Sequence, residues 1–254
     1  MGRIISIVNQ KGGVGKTTTA VNLAAYLADS GKHVLLVDID PQANATSGMG
    51  IDYNKLEHGI YEALIGQKKI FEVIKHTVQD RFKVAPSTAA LAGAGIELVD
   101  MENREFRLSN VLSEVRDEYD YIIIDGPPSL GLLTVNSLVA ADDVLIPVQS
   151  EYYALEGLSQ LLSTIALVQN HLKPELNIMG AVITMYDKRN SLSGAVMNEL
   201  YQYFPNRIFR SIIPRSVRLA ESPSYGRSIL HYDPTSKGGR AYAKLALEVI
   251  NLGN

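Results

Sequence analysis

The sequence contains no cysteine. That absence removes disulfides, thiolate nucleophiles, cysteine-bound zinc and iron–sulfur clusters from consideration. Histidine is scarce too: five residues, scattered along a chain of 254, make no metal-binding group. No apolar run reaches the roughly 18 residues that a membrane-spanning helix needs, and the opening MGRIISIV is too short for a secretory signal. Internal repeats, low-complexity tracts and long Pro/Gly/Ser linkers are all missing. The chain is therefore expected to be one domain, residues 1–254, working in the cytoplasm.

What is present is the balance of a globular protein able to bury a core, with 46% hydrophobic and 20% charged residues. The net charge of −3 argues against a surface that is basic throughout. The average hides a patch: residues 207–240 carry seven basic side chains against Glu221 and Asp233, a net +5 that leaves −8 elsewhere.

Apolar runs of strand length alternate with helical patterns: IISIV, VLLVD, FKVAP, YIIID, VLIPV, IMGAVIT and IFRSII. Such near-continuous β-branched runs suit strands buried on both faces. The fold class predicted is α/β, a doubly wound, mostly parallel sheet flanked by helices. Helices are predicted over 17–30, 89–99, 105–118, 132–141, 155–172, 193–204 and 234–252, the last opened by Asp233-Pro234 as cap and first-turn proline. Residues 52–81 have weaker periodicity and are expected to form irregular helices beside the core.

The chemistry concentrates in NQKGGVGKTTT, residues 9–19, placed after a strand and opening a helix. That context is the one a phosphate-binding loop requires. Glycines at Gly12, Gly13 and Gly15 allow backbone conformations that point consecutive N–H groups, with that of Val14 among them, at an anion. The helix N-terminus adds partial positive charge, Lys16 can reach the β- and γ-phosphates, Thr17 can ligate Mg²⁺ and Thr18 can meet the α-phosphate. The usual pattern, G-x-x-x-x-G-K-S/T, has glycine where this chain has Gln10, and a second lysine, Lys11, stands beside it. From the residues alone, Lys11 is either a solvated surface charge or a second phosphate ligand.

Two further strands end in acids, and in doubly wound sheets ligands bind at the carboxyl ends of strands. Asp125, closing YIIID, fits the Walker B role, next to Mg²⁺ and the Thr17 hydroxyl. In VDIDPQAN, Asp38 and Asp40 alternate with Ile39, so both can point towards the nucleotide. Asp40 is the candidate for orienting the attacking water and a further candidate at the metal, although Asp-Pro is also turn chemistry.

KGGVGKTTT, VDIDPQANATSG, IIIDGPPSLG, PVQSEYYALEG and IPRSVRLAESPSYG together resemble the ParA/Soj family of chromosome- and plasmid-partitioning ATPases, over essentially the whole chain. The resemblance implies a deviant Walker A P-loop NTPase using ATP, ADP and Mg²⁺. In it, Lys11 crosses a nucleotide-sandwich homodimer to the partner's phosphates, Gly12 lies near the dimer interface, Lys16 is needed for nucleotide binding and Asp40 for hydrolysis. It places adenine near Met185, Pro214 and Ser216, where relatives often carry asparagine instead of serine. It further implies non-specific binding of double-stranded DNA through Arg189 and Arg218, a nucleoid-associated location, and a ParB/Spo0J-type centromere-binding partner that stimulates hydrolysis. No helix-turn-helix precedes the first strand, so operator binding is not expected.

Two rival readings share the loop. A MinD-like membrane-associated regulator needs a basic amphipathic C-terminal helix, and YAKLALEVINLGN offers one lysine, Lys244. An ATP-dependent small-molecule ligase needs a second-substrate pocket, for which the sequence shows no sign.

Overall fold

In the computed structural model, which describes residues 1–150, 157–187, 189 and 199–252, the apolar runs assemble into a sheet of seven strands. In chain order these are β1 (Arg3–Ile7), β2 (Val34–Asp38), β3 (Lys75–His76), β4 (Phe82–Ala85), β5 (Tyr121–Asp125), β6 (Asp143–Gln149) and β7 (Asn177–Thr184). They lie in the order β3-β4-β2-β5-β1-β6-β7. All pairs are parallel except β3 with β4, an antiparallel edge.

The two faces of the sheet carry separate cores because side chains alternate along each strand. Along β5, Ile122 and Ile124 enter one core while Tyr121 and Ile123 enter the other. The first core is covered by α3 (Ile60–Leu64), α4 (Ile70–Val73), α5 (Ala94–Glu97), α6 (Arg107–Ser113), α7 (Leu132–Ala140) and α8 (Leu158–His171). Over the second lie α1 (Lys16–Asp29), α2 (Asn44–Gly48), α9 (Val217–Glu221), α10 (Ile229–Tyr232) and α11 (Lys237–Asn251). Parity fixes the site: Asp125 continues the Tyr121, Ile123 series and Asp38 the Val34, Leu36 series, so both project to the α1 face.

Helix α11 buries Tyr242, Leu245 and Val249 in the second core, so its apolar stripe is already occupied. No described helix is long and apolar enough to cross a membrane.

Four expectations need correction. The run at 208–213 is not a strand: Phe209 N–H bonds Ala181 and Ile213 N–H bonds Ile183, so four residues advance against two and the segment bulges. Glu248 of α11 holds the bulge by accepting from Arg210 N–H and the Ser211 hydroxyl. The helix expected over 89–99 is split into a 3-10 turn, α5 and another 3-10 turn, and that over 105–118 is reduced to α6 between 3-10 turns. The C-terminal helix begins after Ser236, whose hydroxyl accepts from Gly239 N–H, so Ser236 and not Asp233-Pro234 is the cap. Region 52–81 does form short irregular helices, with β3 added. Parts of the helices expected at 155–172 and 193–204 lie outside the described residues; 199–203 are helical.

Candidate functional site

The loop between β1 and α1 is pinned at both ends. Asn9 donates to Pro147 O of β6 at 2.7 Å and accepts from Lys11 N–H at 2.9 Å. At the far end the Thr184 hydroxyl of β7 donates to Val14 O at 2.7 Å. Gly13 and Gly15 have φ of 73° and 91°, conformations that a Cβ would strain. Gly15 is the N-cap of α1 and supplies no side chain to the first-turn N–H groups, nor does that turn contain an acid. The result is a ring of donors and partial positive charge suited to a polyphosphate.

The two lysines diverge. Lys16 is buried and its ammonium donates back to Lys11 O at 3.1 Å, closing the ring from inside. Burial lowers its pKa, against the opposing charges of Asp125 and Asp40. The Lys11 side chain is half-buried and has no hydrogen bond or ion pair among the described residues. Beside it Gly12 is exposed, and a Cβ built there meets nothing within 4 Å.

Beneath the loop stand the carboxylates. Asp38 and Asp125 are register partners on β2 and β5, and both are fully buried. Asp38 does not face the nucleotide cleft as the alternation suggested. Its Oδ2 accepts from Thr46 N–H and the Thr46 hydroxyl at 2.8 and 2.7 Å, and its Oδ1 from Asp40 N–H at 3.1 Å. Asp125 is the opposite case, since neither of its buried oxygens has a hydrogen-bond partner at ordinary geometry, although Thr17 is close enough to favour its charge. Burial, then the Asp38 charge, holds the Asp125 pKa well above the carboxylate range, and burial pushes that of Asp38 up to about 6.

Three acids and one buried lysine therefore share a small volume. An orphaned carboxylate beside a threonine hydroxyl fits a divalent cation. Among the described residues no three His, Cys, Asp or Glu groups form a complete protein-built metal site. That suits Mg²⁺, which takes one or two protein ligands and completes its shell with water and substrate phosphates.

Asp40 follows the end of β2 and lines the cleft with Gly12, Lys16, Thr17 and Thr18, a cavity of about 470 Å³. Its Oδ1 accepts from Gln42 N–H at 3.0 Å, and Oδ2 has no hydrogen-bond partner among the described residues. A second, mainly apolar cavity of about 170 Å³ adjoins it, the two sharing Gly15, Thr18 and Met185. Pro214 and Ser216 line this second cavity, together with Thr184 and Tyr242, which sequence reasoning did not single out. The Ser216 hydroxyl caps α9 by accepting from Leu219 N–H, which leaves its O–H donor available to a base. A polar cleft opening into an apolar slot matches a nucleotide's phosphates and base.

The two arginines lie on the surface of the segments that wall the slot, which are joined by the Tyr186–Pro214 bridge. Arg189 is held in bidentate fashion by Asp187, at 3.0 and 2.7 Å. Arg218 pairs with Glu221 at 3.2 Å and Asp233 at 3.5 Å and stacks over the Tyr232 ring.

A strand, a glycine loop and a helix closing on phosphate-sized space, with an aspartate ending the adjacent strand, define a P-loop nucleoside triphosphatase. Comparison with known proteins narrows this. The profile of a family described as an AAA domain matches residues 2–178. Sporulation initiation inhibitor protein Soj of Bacillus subtilis is 55% identical over 249 residues, 98% of each chain. Chromosome partitioning protein ParA of Myxococcus xanthus is 53% identical over 250 residues, 98% of this chain and 88% of that one. Among solved structures, cobyrinic acid a,c-diamide synthase of Mycobacterium smegmatis, with ADP and magnesium bound, superposes with a TM-score of 0.88 at 36% identity, covering 99% of this chain and 95% of that one. The chain belongs to the Soj/ParA family of chromosome-partitioning ATPases.

Proposed function

We propose that the chain, acting as one domain, binds ATP and Mg²⁺, pairs face to face with a second copy, holds double-stranded DNA without sequence preference and lets go on hydrolysis. The observation that carries this reading is the unequal pair of lysines. Lys16 is turned into its own loop, while the Lys11 side chain has no partner among the described residues and stands beside an unobstructed Gly12. A charge so placed suits the phosphates of a nucleotide held by a second subunit.

In the subunit itself, the loop amides and Lys16 hold the β- and γ-phosphates, Thr18 the α-phosphate, and Met185, Pro214 and Ser216 the base. Thr17 and Asp125 would hold Mg²⁺, which when bound neutralises phosphate charge and relieves the orphaned carboxylate. Asp40, with one oxygen tied to Gln42 and the other free, orients the attacking water. Arg189 and Arg218 neutralise DNA phosphates, which places the protein on the nucleoid. A ParB/Spo0J-type protein is the partner that accelerates hydrolysis.

DNA binding measured with ATP, ADP and no nucleotide, across a salt titration, tests the reading. Binding that needs ATP, weakens with salt and is lost in Arg218→Glu is the expected result. Absence of DNA binding in every state would overturn it and favour a membrane surface or a second small-molecule substrate.

A further inference from the structure

Asp40 lies beyond the end of its strand, on an Asp-Pro turn, where the sheet's own ladder no longer fixes it. A carboxylate that orients water has to be placed to a fraction of an ångström. The structure supplies a brace from a distant part of the chain. Ser87, just past the end of β4, is fully buried and its hydroxyl donates to Asp40 O at 2.8 Å. The same residue's N–H donates to the Thr46 hydroxyl oxygen at 2.9 Å. Thr46, also fully buried, donates in turn to Asp38 Oδ2 at 2.7 Å, and Asp38 Oδ1 accepts from Asp40 N–H at 3.1 Å. The four residues close a ring, from the end of β4 through α2 to the end of β2 and back to Asp40.

We infer that Ser87, with Thr46 behind it, is a positioning residue for Asp40, which holds the turn so that Oδ2 faces the cleft. The inference rests on Asp40 orienting the attacking water. A buried serine hydroxyl needs some acceptor in any fold. What separates this one is that its acceptor is the main chain of Asp40 itself, and that both of its links run to groups bonded to Asp38. The brace is anchored in turn, because Pro86 O accepts from Ile60 N–H at the start of α3. The irregular region 52–81 is thereby tied to the catalytic turn.

Ser87→Ala removes only the hydroxyl and keeps the N–H bond to Thr46, so the fold is retained. In single-turnover ATP hydrolysis with Mg²⁺ and duplex DNA, the rate is expected to fall about tenfold. ATP affinity, measured separately by titration of a fluorescent nucleotide, should stay within about twofold of wild type. Ser87→Thr, which restores a donor, should recover most of the rate. Should Ser87→Ala lose its cooperative thermal transition, Thr46→Val, of equal volume, carries the same test by opening the ring at its other corner. A full rate in the folded Ser87→Ala variant while Asp40→Ala is inactive would overturn the positioning role. An equal loss of ATP affinity would do the same. Full activity in Asp40→Ala would instead bring down the underlying reading of Asp40.

Discussion

The phosphate loop and the basic segment at 207–240, the latter proposed to meet DNA, are built in opposite ways. In the loop, Asn9, Val14 and Lys16 are buried and each is bonded to another part of the site. In the basic segment all seven cationic residues are exposed, and Arg218 is matched to acids within the same segment. Chemistry on one γ-phosphate needs a fixed geometry, so the fold spends buried polar groups on it. Neutralising an array of DNA phosphates needs only charge within reach, and exposed arginines suffice.

Asp40 offers the largest break in that comparison. Asp40→Ala removes the free carboxylate oxygen while leaving loop, lysines and basic segment in place. Hydrolysis is expected to fall by about 10²–10⁴-fold, the usual contribution of a positioned acid or base, with ATP binding and ATP-dependent DNA binding intact. Phosphate release and DNA retention on the same sample measure both. Loss of DNA binding together with hydrolysis would show that the two regions are not separable.

Asp125 sharpens the buried side. Its pKa and that of Asp38 are raised in the fold, so the folded state binds protons more tightly than the unfolded chain. Stability from this source is fully present below the ordinary carboxylate pKa and is lost as pH rises, for Asp38 between its ordinary value of 3.8 and about 6. Without nucleotide and Mg²⁺, wild type should therefore lose Tm relative to Asp125→Asn as pH climbs through that window. Adding Mg²⁺ and ATP should raise the Tm of wild type and leave that of Asp125→Asn nearly unchanged. A parallel pH dependence in the two proteins would remove the buried carboxylate pair as the cause.

How far the site could be read in the sequence follows the same division. The runs at 34–38 and 121–125 coincide with β2 and β5, because a continuous apolar stretch closed by an acid leaves little choice of register. The loop was legible because its chemistry lies in consecutive residues. The run at 208–213 misled, because what bends it away from β7 is Glu248, on a helix far along the chain. Ser87 and Thr46 carry no local pattern at all. They meet across 41 residues of sequence, and only the packing of β4 beside β2 brings them together.

Gly12→Val probes whether the open side of the loop meets a second subunit. A side chain at Gly12 finds open space in the lone chain, so monomer stability and ATP affinity should change little. ATP-dependent dimerisation, followed by light scattering with Asp40→Ala as background, should be lost by steric bulk. A dimer that survives Gly12→Val would move the subunit interface away from the loop and deprive Lys11 of its proposed target.

The smallest expected effect lies in the basic segment. Arg218 shares its guanidinium between Glu221 and Asp233 and rests on Tyr232, with 56% of its side chain exposed. A DNA phosphate has to compete with those carboxylates for the same donors. Exposed ion pairs are weak, so neutralising one in Asp233→Asn should strengthen ATP-dependent DNA binding by only about two- to fivefold at low salt. The gain should fade as added salt screens both the pair and the DNA. Fluorescence anisotropy of a labelled duplex over a salt series measures it directly. Tighter binding makes Asp233 a competitor for Arg218, whereas weaker binding makes it the group that aims the arginine at DNA, so that this exposed contact would depend on fixed geometry as the phosphate loop does.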